Sequence, residues 1–88
     1  RVFVVPESYL DANGHMNNTN YPDLYCDFIP GMSKKRVIMM GINYLGEAKE
    51  GEVLKVYMNE SDGQFYFKTV KSDGTTNSEA IIMPEDVY

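Results

Sequence analysis

Cys26 is the only cysteine, so the chain has no internal disulfide and must be held together by packing. Cations are also scarce: 8 Lys and Arg stand against 13 Asp and Glu, for a formal net charge of −5. Nucleic-acid binding draws most of its affinity from phosphate contacts on a basic face. The one basic cluster here is Lys34-Lys35-Arg36, so no nucleic-acid partner is expected. No apolar run approaches the roughly 18 residues that span a bilayer, and no signal-peptide pattern is present. A cytoplasmic setting without a membrane partner is therefore expected. Asn17-Asn18-Thr19 and Asn59-Glu60-Ser61 match the glycosylation sequon, a pattern too frequent by chance to weigh here. There is no Gly-x-Ser-x-Gly elbow and no phosphate-cradling Gly-rich loop. One His and one Cys are too few for a zinc site. Asp11-x-Asn13-x-His15 breaks the calcium-loop pattern at its third position. Neither a metal nor a cofactor is expected.

What is present is enough for one small core. The chain of 88 residues is 43% apolar, with 7 Tyr and 4 Phe. That composition fits one domain and argues against disorder. A chain this short buries only about two thirds of the surface its unfolded form exposes, so its stability margin is small. The first residue is Arg, and residues 1–88 are expected to be one domain of a longer polypeptide.

The pattern along the chain predicts an α+β fold with one helix against an antiparallel sheet. Arg1-Val2-Phe3-Val4-Val5 reads as a strand stopped by Pro6. A polar stretch from Glu7 to Asn18 follows, and its Asn13-Gly14 pair favours a tight turn. Tyr21, Leu24, Tyr25 and Phe28 then fall at the spacing of one helical face. The helix is expected over 18–29, with Asn18 or Thr19 as cap and Pro30-Gly31 as stop. Pro22 fits its first turn. Residues 37–44 are nearly all apolar, as in a strand covered on both faces. Residues 52–60, 64–71 and 75–83 complete an expected four-strand meander. Asp62-Gly63 and Asp73-Gly74 mark its hairpins.

The segment Leu10-Asp11-Ala12-Asn13-Gly14-His15-Met16-Asn17-Asn18-Thr19-Asn20-Tyr21 resembles the acyl-ACP thioesterases of plants and bacteria. Their motif is Asp-x-Asn-x-His-x-Asn-Asn, followed three residues later by Tyr, and every fixed position is filled. The family's next landmark, Tyr-x-x-Glu, matches Tyr44-Leu45-Gly46-Glu47, although Ala48 stands where Cys is frequent. The resemblance covers residues 1–83. It implies a hotdog fold, a sheet wrapped around one central helix. It also implies the C-terminal half of a tandem double-hotdog protein. The implied substrate is a fatty acyl chain on the phosphopantetheine arm of acyl carrier protein. The implied partners are that carrier and a second hotdog domain, from the same chain or a dimer mate.

Thioester hydrolysis needs a base or nucleophile and donors for the oxyanion; the thiolate leaves with little acid assistance. The resemblance implies Asp11 as nucleophile or base and Glu47 as the group that orients or activates water. His15 and Asn13 would position the substrate and tune the carboxylates. Met16, Asn17 and Asn18 are expected at the substrate. Backbone N–H groups of residues 15–17, at the entry to the helix, are the expected oxyanion donors. Each residue also has a plainer reading. Asp11 and Asn13 are ordinary turn formers, His15 and Glu47 are ordinary solvated side chains, and Asn17 and Asn18 are equally good helix caps. Two other functions fit the same residues. One is a stand-alone acyl-CoA thioesterase that dimerises through its sheets. The other is a non-catalytic half that docks the carrier, with Lys34-Lys35-Arg36 as the basic patch.

Overall fold

The computed structural model describes residues 1–87; Tyr88, at the end of the expected domain, lies outside the described residues. Five strands form one antiparallel sheet: β1 (Val2–Val4), β2 (Lys35–Tyr44), β3 (Val53–Ser61), β4 (Gln64–Val70) and β5 (Thr76–Asp86). Their spatial order is β1-β3-β4-β5-β2. Among the described residues a single α-helix, α1 (Tyr21–Cys26), lies across one face. This is the hotdog architecture that the resemblance implied.

Alternation along the strands builds the core. Leu54 and Val56 on β3, Phe65 and Phe67 on β4, and Ala80 and Ile82 on β5 are all buried. They pack with Tyr21, Leu24 and Tyr25 of α1 in one cluster. The Tyr25 and Phe67 rings lie 4.8 Å apart. Beneath the helix runs a buried polar seam. The Tyr25 hydroxyl bonds the Ser78 hydroxyl, which in turn bonds Thr69. Thr69 also donates to Asn77 Oδ1 at 2.9 Å. Among the described residues no buried side-chain polar atom lacks a partner.

The hairpins follow the sequence. Asp62 and Gly63 have φ of 53° and 77°, and they link the Ser61 and Gln64 pair in a two-residue turn. At the second hairpin Asp73 Oδ1 accepts the Thr75 N–H at 2.9 Å, and bonds from Thr75 hold the Asp73 carboxyl below its ordinary pKa.

Three expectations need correction. First, the last four strands do not form a meander. β1 occupies the free side of β3, so β2 cannot pair there. It crosses over instead and pairs with β5, from Lys35 opposite Asp86 to Tyr44 opposite Ser78. β2 is thus an edge strand, not one covered on both faces: Val37, Ile38 and Met39 are exposed, and only Met40 and Ile42 pack on the core.

Second, the helix is shorter than 18–29. A 3-10 turn (Asn18–Asn20) precedes α1, and residues 28 and 29 close it with i to i−3 bonds. The position before Pro30 disfavours helical backbone, which ends α1 early. Phe28 is consequently only half-buried. The cap of that turn is Asn17, not Asn18 or Thr19, its Oδ1 accepting the Thr19 N–H at 3.0 Å; α1 itself follows Asn20, which makes no side-chain cap bond.

Third, β5 continues through Pro84 to Asp86. Pro84 lies past the end of the β4 ladder, where β5 has no neighbour on one side, so a residue without an N–H fits. The extension lets Asp86 pair with Lys35 and Glu85 with Arg36. Two of the three cations in the basic cluster are thereby matched, which weakens it as a carrier-docking patch. Among the described residues no helix is long and apolar enough to cross a membrane.

Candidate active site

The motif loop is folded by its own acid. Asp11 Oδ1 accepts the Asn13 N–H at 2.9 Å and the His15 N–H at 3.1 Å. The Asp11 N–H donates to the His15 carbonyl at 2.8 Å, closing the loop. One carboxylate oxygen is therefore structural, and the other makes no bond within the described residues. Gly14 takes φ of 77°, the left-handed conformation the turn needs. Gly14→Val puts a β-branched residue there, at a cost of about 1–2 kcal/mol. Thermal unfolding should show a matching fall in melting temperature.

A second segment brings in the distant acid. Residues 45–49 leave β2 and run back beside the motif loop. The Met16 N–H donates to the Ala48 carbonyl at 2.6 Å, and His15 pairs with Lys49 in an isolated bridge. Glu47 Oε2 comes to 3.3 Å from His15 Nε2. The attraction is an ion pair only when His15 is protonated. The Glu47 side chain is 72% exposed and that of His15 28%, so solvent screens much of it.

The two segments wall a cleft of about 520 Å³. Asp11, Asn13, His15 and Glu47 all line it, as do Met16, Asn17 and Asn18. The expected residues are thus brought together, with unequal freedom. Met16, though it lines the cleft, is buried and packs in the core. The Asn17 side chain is occupied as a cap, accepting from both the N–H and the hydroxyl of Thr19. The Asn18 carbonyl accepts the Tyr44 hydroxyl at 3.1 Å. Asn13 faces the cleft with no side-chain hydrogen bond among the described residues.

The expected oxyanion donors are corrected by this geometry. The N–H groups of His15, Met16 and Asn17 already donate to Asp11 Oδ1, the Ala48 carbonyl and the Tyr9 carbonyl. The N–H of Asn18 has no partner among the described residues. Asn17 as cap makes Asn18 the first residue of the helical turn, whose N–H has no acceptor within it. Reading Asn17 as the cap would have found that donor. Tyr21, Tyr44, Leu45 and Gly46 also line the cleft and were not foreseen there. The Tyr21 and Tyr44 rings meet edge-on at 5.1 Å.

Neither sulfur position contributes. Ala48 is fully buried and absent from the cleft lining, so a thiol at that position would enter the core. Cys26 is half-buried on α1, and burial, then Asp23 and Asp27, raise its thiol pKa. It stays protonated at neutral pH and should be alkylated by iodoacetamide more slowly than free cysteine. Among the described residues no group of three or more His, Cys, Asp and Glu could hold a metal ion.

Residues 2–84 match the family described as the acyl-ACP thioesterase C-terminal domain. No curated protein matches the chain in sequence. Among solved structures, an acyl-ACP thioesterase from Bacteroides thetaiotaomicron superimposes with a TM-score of 0.88 at 23% identity. The match covers 97% of this chain but only 36% of that one, so this chain spans about a third of that relative. A hypothetical protein of Staphylococcus aureus in complex with CoA matches with a TM-score of 0.80 at 21% identity, over 99% of this chain and 74% of that one. A hypothetical protein of Aquifex aeolicus matches with a TM-score of 0.84 at 18% identity, over 100% of this chain and 96% of that one. At these identities the structural matches establish the fold, and it is the family match over nearly all its length that places this chain in the acyl-ACP thioesterase C-terminal domain family.

Proposed function

We propose that this cleft hydrolyses fatty acyl thioesters carried on acyl carrier protein and releases the free fatty acid. The observation that carries the reading is the convergence of Asp11, Asn13, His15 and Glu47 on one cleft, beside the unused Asn18 N–H. The thioester carbonyl oxygen accepts from that N–H, which stabilises the negative charge that develops there. Water attacks the carbonyl carbon, oriented by Glu47, and its proton passes to the unoccupied oxygen of Asp11. The tetrahedral intermediate then collapses and expels the phosphopantetheine thiolate. His15 sits against Glu47 and fixes its direction. Asn13 and Asn18 hold the substrate, while Met16 and Asn17 shape the wall behind it.

The exposed edge of β2 supports a second hotdog domain as the partner, since an apolar edge strand invites pairing. That domain, in the same chain or a dimer mate, would complete the acyl pocket. The setting would be fatty acid biosynthesis in the cytoplasm. A second reading, acyl-CoA hydrolysis, is favoured by the CoA held in the Staphylococcus aureus neighbour. Phosphopantetheine is common to both carriers, so the cleft alone does not choose. The test is kcat/KM of the full-length protein on octanoyl to stearoyl thioesters of both carriers. Faster turnover of the carrier-protein thioesters supports the first reading and faster acyl-CoA turnover the second. No hydrolysis of either would refute both.

A further inference from the structure

We propose that Asn77 is the positioning residue for Glu47, an inference that rests on Glu47 acting in the cleft as described above. Asn77 lies on β5, one residue before the last pair of the β2 ladder, and is fully buried. It holds Gly46 at both of that residue's backbone polar groups. Its side-chain Nδ2 donates to the Gly46 carbonyl at 2.8 Å. Its backbone carbonyl accepts the Gly46 N–H at 3.1 Å and also the Leu45 N–H at 3.0 Å. Regular pairing with β2 stops at Tyr44, so these bonds steer the chain off the sheet edge.

Glu47 therefore sits between two anchors. Gly46 before it is fixed by Asn77, and the carbonyl of Ala48 after it is fixed by the Met16 N–H. Ala48 is fully buried, which turns its side chain to the core and that of Glu47 to the cleft. With both neighbours fixed, the backbone at Glu47 has little freedom.

The amide of Asn77 is the one group here that suits its place. Nδ2 must donate to a carbonyl, and Oδ1 must accept from Thr69 at 2.9 Å. Asp would set a carboxylate against the Gly46 carbonyl, and Ser is too short to reach it. The Asn77 end of the bond is fully buried and the Gly46 end exposed, so losing it leaves Gly46 free to turn to solvent. Tyr21, a wall of the cleft, belongs to the same group: burial raises its pKa and the Asn77 amide works against that.

A positioning role and a purely structural one differ in their coupling to Glu47. In the full-length protein, kcat and KM are compared for wild type, Asn77→Ser, Glu47→Gln and the double variant. The substrate is whichever of the octanoyl to stearoyl acyl-ACPs or acyl-CoAs is hydrolysed fastest. Misplacing a catalytic group by about 1 Å costs up to about 100-fold. Asn77→Ser is expected to lower kcat by about tenfold or more, with little change in KM. In the Glu47→Gln background the same change should lower kcat less than about twofold, since the two act as a unit. Equal losses in both backgrounds, or wild-type kcat for Asn77→Ser, would overturn the proposal.

Glu47→Gln alone reads the proposed function separately, because wild-type turnover there removes the acid's role without touching the anchor. The anchor is then read by amide hydrogen exchange. Asn77→Ser should speed exchange at Leu45 and Gly46 and leave β3 and β4 protected; unchanged exchange at those two amides counts against it. Should Asn77→Ser not fold, Thr69→Val replaces it. That variant keeps the Asn77 amide but removes its donor at Oδ1, along with the Thr69 bond to Ser78, and a loss of kcat independent of Glu47 would again overturn the proposal.

Discussion

Asp11→Asn is expected to lower acyl-thioester turnover by about 10²- to 10⁴-fold, the range that removal of a general base produces. The melting temperature should move little. Both halves follow from the use of one carboxylate oxygen by the loop. Asp11 Oδ1 accepts two backbone N–H groups, and an Asn carbonyl oxygen can accept the same two. The substitution therefore keeps the turn and removes only the charge and the basic oxygen. Asp11→Ala lacks that resolution, since it unmakes the loop as well. If Asp11 is only a turn former, Asp11→Asn will be silent in both activity and stability. Turnover kinetics and a thermal melt on the same preparation separate the two roles.

Tyr25→Ala should unfold the domain. Tyr25 is fully buried, its ring packs on Phe67 and its hydroxyl closes the polar seam with Ser78 and Thr69. Deleting a buried aromatic side chain costs about 3–5 kcal/mol through lost transfer energy and the cavity left behind. The seam loses a partner in addition, worth about 1–3 kcal/mol. Small domains hold only about 5–15 kcal/mol in total, and one of this size has little to spare. Tyr25→Phe keeps the ring and should cost only the hydroxyl's share. Urea unfolding followed by circular dichroism gives both values. A Tyr25→Ala protein as stable as wild type would show that the helix is not held by this face.

Local chemistry was legible in the sequence and non-local pairing was not. Asp62-Gly63 announced its turn because the left-handed backbone it needs is a property of those two residues. Tyr21, Leu24 and Tyr25 announced the buried face of α1 by spacing alone. β2 misled because an apolar run records that a strand is hydrophobic, not which neighbours it has. Its place at the edge follows from β1 having taken the side of β3, a pairing that sets Val4 opposite Val53 and leaves no mark in β2 itself. The site divides in the same way. Asp11, Asn13, His15 and Glu47 came from a recognised motif, and the fold then placed them on one cleft. The oxyanion donor shifted from residues 15–17 to Asn18 because hydrogen bonds to Asp11, Ala48 and Tyr9 use up the earlier N–H groups. Asn77 carried no signal: its partners, Leu45, Gly46 and Thr69, come to it only through the sheet.

In the proposed function, the cleft between the motif loop and residues 45–49 hydrolyses acyl thioesters with its two acids. The most direct measurement is single-turnover hydrolysis of a bound acyl-ACP by the full-length Glu47→Gln protein, with the dissociation constant measured alongside. Glu47 is mostly exposed and holds no backbone group in place, so the substitution should leave folding and carrier binding near wild type. Unchanged binding is expected, with a chemical step slower by about 10²-fold or more. Wild-type single-turnover rates in that variant would contradict the proposed function.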